Sequence, residues 1–462
     1  MEARLRVGIV PACEHSARAR LSAALEAAYP VRFEGREGDS LRGVDGVLVF
    51  GAGGAPSNGI PSLTLHGEET SPRTSRSVAL AVDAALARPL RGALLSDGHA
   101  TALKSMRANE TVLATFDGAP AWVRGAPTRV RHHVACAPAE LGPEEALRER
   151  LRPGRCLALL ALVHFLGELT AHLRPPPPPL RAAFIIDDPN LRRPRYGHLD
   201  YAELLSHARV HGYHLAVAMV PLDARFAHPR AVRLFREGSA HLSLCVHGND
   251  HDGAELGRPR SDAQATAVVA QALRRSASFE RRTGVAVDRV MVPPHERLSE
   301  PVARALRACG FRAVTTTRPY PWVADTSDRS WLARPPAVGP LAAWGPVDVV
   351  ARGLPVLLRA DFREHPREDL ALRAFLGQPL ILYGHHDLLA GGPDALGEAA
   401  AEIDRLGDVE WSSLGNIART HMQAPVESRP LAAIPRPPQR LAPLLRRLAS
   451  EGRDRAGTIA AR

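Results

Sequence analysis

Lysine is almost missing from this 462-residue chain: Lys104 stands alone among 59 basic side chains. The formal net charge of +10 therefore rests on arginine, which is spread over every segment instead of gathered in one block. Together with the many alanines and prolines, this is the composition a G- and C-rich genome produces. Aromatic residues are scarce as well, at 5%, and no stripe alternates aromatic with basic residues as single-strand binders require. Nucleic acid is therefore not an expected partner, whereas an acidic substrate is still allowed. Cysteine is limited to Cys13, Cys136, Cys156, Cys245 and Cys309. The number is odd and no CxxC pair occurs, which favours buried thiols in a reducing compartment over a disulfide framework. Long apolar runs are missing too. The most apolar stretch, 157–173, is interrupted by His164, Glu168 and His172, so it predicts a buried helix and no transmembrane segment. The first residues contain no apolar signal region, and the expected location is cytoplasmic. Oligomeric state is left open.

Hydrophobic residues make up 45% and charged residues 23%, ordinary values for a soluble chain long enough for two or three domains. Residues 1–173 alternate strand and helix patterns: strands at 5–10, 31–33, 47–50, 62–66, 112–116, 121–123 and 130–135, with a helix at 16–28. This predicts an open α/β sheet. After Phe50 comes Gly51-Ala-Gly-Gly-Ala-Pro56. A glycine-rich loop can cradle phosphate, but no Lys-Ser/Thr follows and the GxGxxG spacing is absent, so a tight turn is the favoured reading. Arg174 and five consecutive prolines predict a stiff spacer at 174–180. The tail, 421–462, is rich in Pro, Arg and Ala. In it Leu441, Leu444, Leu445 and Leu448 predict a short basic amphipathic helix, with docking on its own protein favoured over a membrane contact.

Between 181 and 420, strand and helix patterns alternate about seven times, which predicts a (β/α) barrel with its site where strands end. Four polar motifs directly follow apolar strands: Asp187-Asp188, His247-Gly-Asn-Asp-His251, Val292-Pro-Pro-His-Glu296 and His385-His386. Two imidazoles four residues apart on a helical turn face one side and can share a metal. With one aspartate they make three N/O ligands and leave a position for water, whose pKa a divalent cation lowers. A spare carboxylate can then take the proton of the water, and a separate histidine can protonate a leaving amine. Other roles compete. Asp187-Asp188 could cap a helix before Pro189. His386 competes with His385. Asp250, Asp252, Glu255 and the arginines 192, 193 and 195 read as solvated loop residues, with support behind the metal ligands as the alternative for Asp250, and Trp411 reads as packing.

Residues 182–417 resemble the polysaccharide deacetylases of carbohydrate esterase family 4. The matching motifs are Phe184-Ile-Ile-Asp-Asp188, His247-Gly-Asn-Asp-His251 and Leu382-Tyr-Gly-His385. The resemblance implies a deformed (β/α) barrel and a divalent metal, commonly zinc. It implies Asp188, His247 and His251 as metal ligands, Asp187 as general base and His385 as general acid. The implied activity is removal of an acetyl group from an acylated carbohydrate. Departures accompany it. Family members usually carry an arginine that orients the catalytic aspartate just before the proline-rich motif; here Val292 stands in its place, with Arg289 three residues earlier. His295 or Glu296 is expected either to supply the missing polar contact or, like His386, to bind substrate. These departures, with the expected location, favour a nucleotide- or lipid-linked amino sugar or another small acylated metabolite over mature cell wall. A non-catalytic glycan- or partner-binding protein on the same fold is the alternative. The first third, on the pattern Val44-Asp-Gly-Val-Leu-Val-Phe-Gly51, resembles a degenerate class I glutamine-amidotransferase domain. It has no Gly-x-Cys-x-Gly elbow, and Cys13 with nearby His15 does not replace one, so it is expected to be non-catalytic.

Overall fold

Apolar strands alternating with amphipathic helices build two separate sheets in the computed structural model. It describes residues 4–37, 41–51, 59–71, 74–125, 130–175, 178–259, 261–319, 339–351 and 353–422. The chain divides into two units. One holds Met1–Pro178, Ala337–Gly345 and Pro366–Gly377; the other holds Pro179–Pro336, Pro346–His365 and Gln378–Arg462. Two segments within the stretch 181–420 thus belong to the first unit, because they contribute Trp344 and Leu372 to its hydrophobic core. The glycine-rich loop beyond Gly51, the middle of the proline spacer and the tail from residue 423, with its leucine helix, lie outside the described residues.

In the first unit the strands are β1 (Leu5–Val10), β2 (Val31–Gly35), β3 (Gly46–Phe50), β4 (Ser62–Leu65), β5 (Arg76–Leu80), β6 (Leu94–Asp97), β7 (Thr111–Phe116), β8 (Ala119–Arg124) and β9 (Arg131–Val134). They form one open sheet in the order β2-β1-β3-β4-β9-β8-β7-β5-β6. The run from β2 to β9 is parallel, and the run from β8 to β6 pairs antiparallel. The expected open α/β sheet is therefore present, parallel along one run and antiparallel along the other. The helix Leu157–Leu169, apolar on nearly every face, is buried. It has no cap of its own; Asp97 serves instead, its Oδ2 accepting the Cys156 and Leu157 amides at 2.8 and 2.9 Å. A carboxylate at a helix N-terminus satisfies donors the helix leaves over. Cys13 is exposed, on the short helix Ala12–Ala17.

The second unit is a barrel. Its strands are β10 (Leu180–Asp187), β11 (Arg195–Tyr196), β12 (Leu199–Asp200), β13 (Leu215–Met219), β14 (Leu242–His247), β15 (Val287–Val292), β16 (Ala313–Thr316), β17 (Asp348–Val350), β18 (Leu354–Asp361), β19 (Leu380–Gly384) and β20 (Val409–Trp411). Seven of them close a parallel ring, β10-β13-β14-β15-β16-β18-β19 and back to β10. This is the deformed (β/α) barrel expected. β17 and β20 pair outside the ring, and β11 with β12 forms a small hairpin. Helices follow the strands with ordinary signals: Asp200 caps Tyr201–His211, and left-handed Gly212 ends it; Ser261 and Gly284 do the same for Asp262–Thr283.

So small a ring has room for little inside, and its core is Ala183, Ile185, Ala216, Ala218, Cys245, Val290, Val292, Ala313, Leu357 and Ile381. Successive strand residues alternate between faces, so the inward parity continues to Asp187, His247, Arg359 and Tyr383 at the carboxyl ends. At the other end it reaches His214, Ser243 and Asp288. There Leu414, Ile417 and Ala418 of the helix Leu414–Thr420 join the core. Asp288 accepts the amide of Gly415, so close that a Cβ there would lie 2.1 Å from its Oδ1.

His214, 3% exposed, contacts the Ala240 carbonyl through Nδ1 at 3.0 Å and Ser243 Oγ through Nε2 at 2.9 Å. The carbonyl only accepts, so Nδ1 carries the proton and the Ser243 hydroxyl donates to a neutral ring. Burial pushes this histidine down to about 4. In the first unit, burial does the same to His164. As pH falls from about 6.5 toward 4, the unfolded chain takes up these protons and the folded chain does not. Stability held above that window is therefore lost within it, by about 1.4 kcal/mol per pH unit for each group. Denaturant titrations across this range are expected to show the loss, and His214→Gln is expected to make the slope shallower.

Candidate active site

Asp187 ends β10, facing inward and buried. Asp188 follows in the left-handed region at φ 77, a conformation aspartate tolerates better than most residues. No helix begins at Pro189, and Asp200 caps the next one, so the capping alternative falls away. Asp188 Oδ1 lies 3.4 Å from His247 Nε2 and 3.1 Å from His251 Nε2. One ligand atom from each of these residues lies within 4.8 Å of the others, and among the described residues this is the group that could hold a metal ion.

The two histidines do not share a helical turn. His247 is the last residue of β14, while His251 sits in the following loop at φ 54. Gly248, at φ 60, makes the bend between them, where a Cβ would come within 2.5 Å of Glu255 and 2.6 Å of Pro294. His247 Nδ1 is 3.0 Å from the Val292 carbonyl. That acceptor places the ring proton on Nδ1 and turns the Nε2 lone pair toward Asp188. A carbonyl-anchored imidazole of this kind is a common device for orienting a metal ligand. Burial opposes protonation of His247, but Asp188 and Asp187 outweigh it and raise its pKa. One carboxylate and two imidazoles are a donor set that suits zinc.

Glu255 and Asp250 are not solvated loop residues. Glu255 is buried, and its Oε1 accepts the amides of Asn249, Asp250 and His251 at 2.6, 2.9 and 2.9 Å. This carboxylate shapes the loop that carries His251, and burial raises its pKa. Asp250 pairs with Arg275 of the helix Asp262–Thr283. Arg192 likewise pairs with buried Asp223.

His385 directly follows β19, is half exposed, and has Nε2 3.8 Å from Asp188 Oδ2. His386 turns away; its ring lies 5.3 Å from Tyr196 and 5.8 Å from His198, on the β11–β12 hairpin. The geometry brings His385, and not His386, to the carboxylate. His295 is exposed, with its ring 5.3 Å from that of His251. Glu296, expected either to supply the missing polar contact or to bind substrate, engages protein on both oxygens: Oε1 accepts from Arg359 Nε at 3.0 Å and Oε2 from the Thr317 amide at 2.8 Å.

Arg359 is the residue the motifs do not reveal. It is 2% exposed, with Nη1 2.9 Å from both Asp187 oxygens, and its guanidinium carbon lies 3.8 Å from the Tyr383 ring centroid. Burial works against its charge, but Asp187 and Glu296 more than compensate and raise its pKa. The available signal was parity: 359 lies two residues beyond inward-facing Leu357. The backbone is strained here too. Of the seven non-glycine residues with positive φ among those described, Asp188, His251, His295 and Glu296 belong to this site. Each costs about 1–3 kcal/mol and persists where surrounding structure enforces it.

Removing the Glu255 carboxylate strands three amides. Glu255→Ala is expected to lower the unfolding free energy by at least about 2 kcal/mol, measured by urea titration, with Asp252→Ala as a near-neutral control.

No family model matches the chain, so the amidotransferase resemblance of residues 1–173 gains no support, and no curated protein matches either. Solved structures do. A Mycobacterium smegmatis chain named as a polysaccharide deacetylase is 17% identical, at 58% coverage of this chain and 96% of that one, with a TM-score of 0.37. A family 4 carbohydrate esterase from Streptomyces lividans, in complex with acetate, is 12% identical over 55% of this chain and 100% of its own, with a TM-score of 0.31. A peptidoglycan deacetylase from Bacillus subtilis is 11% identical over 53% and 93%, also with a TM-score of 0.31.

Proposed function

We propose that the barrel is a metal-dependent hydrolase that removes an acetyl or related acyl group from an N-acylated carbohydrate or a similar small metabolite. The observation that carries this reading is the convergence of Asp188, His247 and His251 beside a second carboxylate, Asp187, which a purely structural metal site does not need. Asp188, His247 and His251 would hold a divalent cation, most simply zinc. Bound there, it supplies Lewis-acid chemistry, polarising the acyl oxygen and acidifying water.

The protein's own residues do the rest. Asp187 accepts the proton that water gives up as its oxygen attacks the acyl carbon. His385, near Asp188 Oδ2 and open to solvent, donates a proton to the amine nitrogen as the carbon–nitrogen bond breaks. Carboxylate and free amine are the products. A nucleotide- or lipid-linked amino sugar in the cytoplasm fits the reading best. Among the described residues, no helix is long and apolar enough to cross a membrane.

Purified protein is expected to hold about one zinc ion, and His247→Ala to lose it. Elemental analysis of folded wild type and variant checks this; equal metal content in the two would remove His247 from the ligand set. Asp187→Asn is expected to keep the metal and to slow acetate release from acetylated sugars by about 100-fold or more. Should variant and wild type release acetate equally, Asp187 is not the base. Zinc binding without acetate release from any acetylated sugar would favour the non-catalytic alternative.

A further inference from the structure

Val292 stands where the resemblance implies an arginine, and Arg289 of β15 pairs with Glu280, yet Asp187 is not without a guanidinium. Arg359 enters from β18, which lies two strands from β15 and two from β10 in the ring order β15-β16-β18-β19-β10. Its donors are divided in a particular way. The edge formed by Nε and Nη2 goes to Glu296 Oε1, and only Nη1 is given to Asp187, 2.9 Å from either oxygen. The Tyr383 ring covers one face of the guanidinium. Glu296 is itself held from behind, by the Thr317 amide on Oε2. It reaches this position only because His295 and Glu296 both adopt the left-handed conformation, at φ 55 and φ 57, after Pro293 and Pro294.

We propose that Glu296 is a positioning residue: the strained turn at 293–296 anchors Arg359 through Glu296, and the anchored guanidinium fixes the Asp187 carboxylate in its working orientation. The last clause rests on the hydrolase reading; the anchoring does not. The division of donors gives the reason. An unanchored arginine can turn its two-nitrogen edge onto a carboxylate and bind it bidentately. With that edge committed to Glu296, Arg359 meets Asp187 through one nitrogen, in one direction. Stability alone does not account for the arrangement. A buried carboxylate–guanidinium–carboxylate group contributes little compared with apolar packing, and two consecutive left-handed non-glycine residues are unfavourable. Such strain is retained where orientation matters. Arg359 thus supplies from β18 the contact that Val292 does not supply from β15.

The test uses zinc-loaded full-length protein carrying Glu296→Ala or Glu296→Gln, the glutamine keeping an acceptor oxygen for Arg359 at nearly unchanged volume. Two readouts are taken: the position of Asp187 in zinc-bound crystal structures, and kcat and KM for acetate release from a chromogenic aryl acetate, with zinc content alongside. Glu296→Ala is expected to release the guanidinium, shift the Asp187 carboxylate by about 1 Å and lower kcat by about 100-fold, at unchanged KM and zinc content. Glu296→Gln is expected to fall between it and wild type, and it carries the test if the alanine variant does not fold. An Asp187 that stays in place, or one that shifts while kcat stays within twofold, overturns the proposal. If wild type releases no acetate from any acyl donor, the hydrolase reading fails, and the Asp187 positions still decide whether Glu296 anchors the pair.

Discussion

Closing seven parallel strands into a ring leaves an interior that accepts only every second side chain, and mostly small ones. The rest of the barrel follows from that restriction. Its middle layer is alanine, valine, isoleucine, leucine and a cysteine, because a polar group there would meet neither water nor a partner. Polar residues of inward parity are confined to the two ends. At the amino ends they form closed structural pairs, His214 with Ser243 and Asp288 with Gly415. At the carboxyl ends, where loops leave the strands open to solvent, they collect as Asp187, His247, Arg359 and Tyr383. The candidate site lies at one mouth because there a charged group of inward parity finds both partners and access.

Charge balance at that mouth sets a second condition. Asp187, Asp188 and Glu296 are crowded together, and one buried guanidinium, Arg359, lies between two of them. Asp188 turns the other way, toward two imidazoles. Two adjacent carboxylates thus face different surroundings, one an arginine and the other a pair of nitrogen donors suited to a metal. The left-handed turn at Asp188 produces this divergence; alternation along an ideal strand would separate the two side chains but would not aim the second one at His251.

Much of this was legible one stretch at a time. The alternation of strand and helix patterns over 181–420 predicted the barrel, and the polar groups after β10, β14 and β19 are the ones that meet at Asp188. The first unit was read less fully. β5 and β6, short antiparallel strands without strong alternation, are not legible there, whereas β7 and β8 are, so only part of the sheet's antiparallel half is. Nor did composition reveal that segments 337–345 and 366–377 belong to that unit, since their apolar residues look the same whichever core receives them.

Glu255 and Arg359 mark the boundary between the two kinds of information. A histidine after an apolar strand advertises itself, because the local pattern of period two and the turn that follows already say where it points. Glu255 reads as loop, since its three amide partners are made available by a bend at Gly248 that no spacing announces. Arg359 reads as one more arginine among many. Its partners lie 172 and 63 residues away in the chain, so its role came into being only when ring closure brought β18 opposite β10 and a strained turn offered Glu296. Residue periodicity is a local property and survives in the sequence; the pairing of buried charges depends on which strands become neighbours, and that is settled by the closed ring.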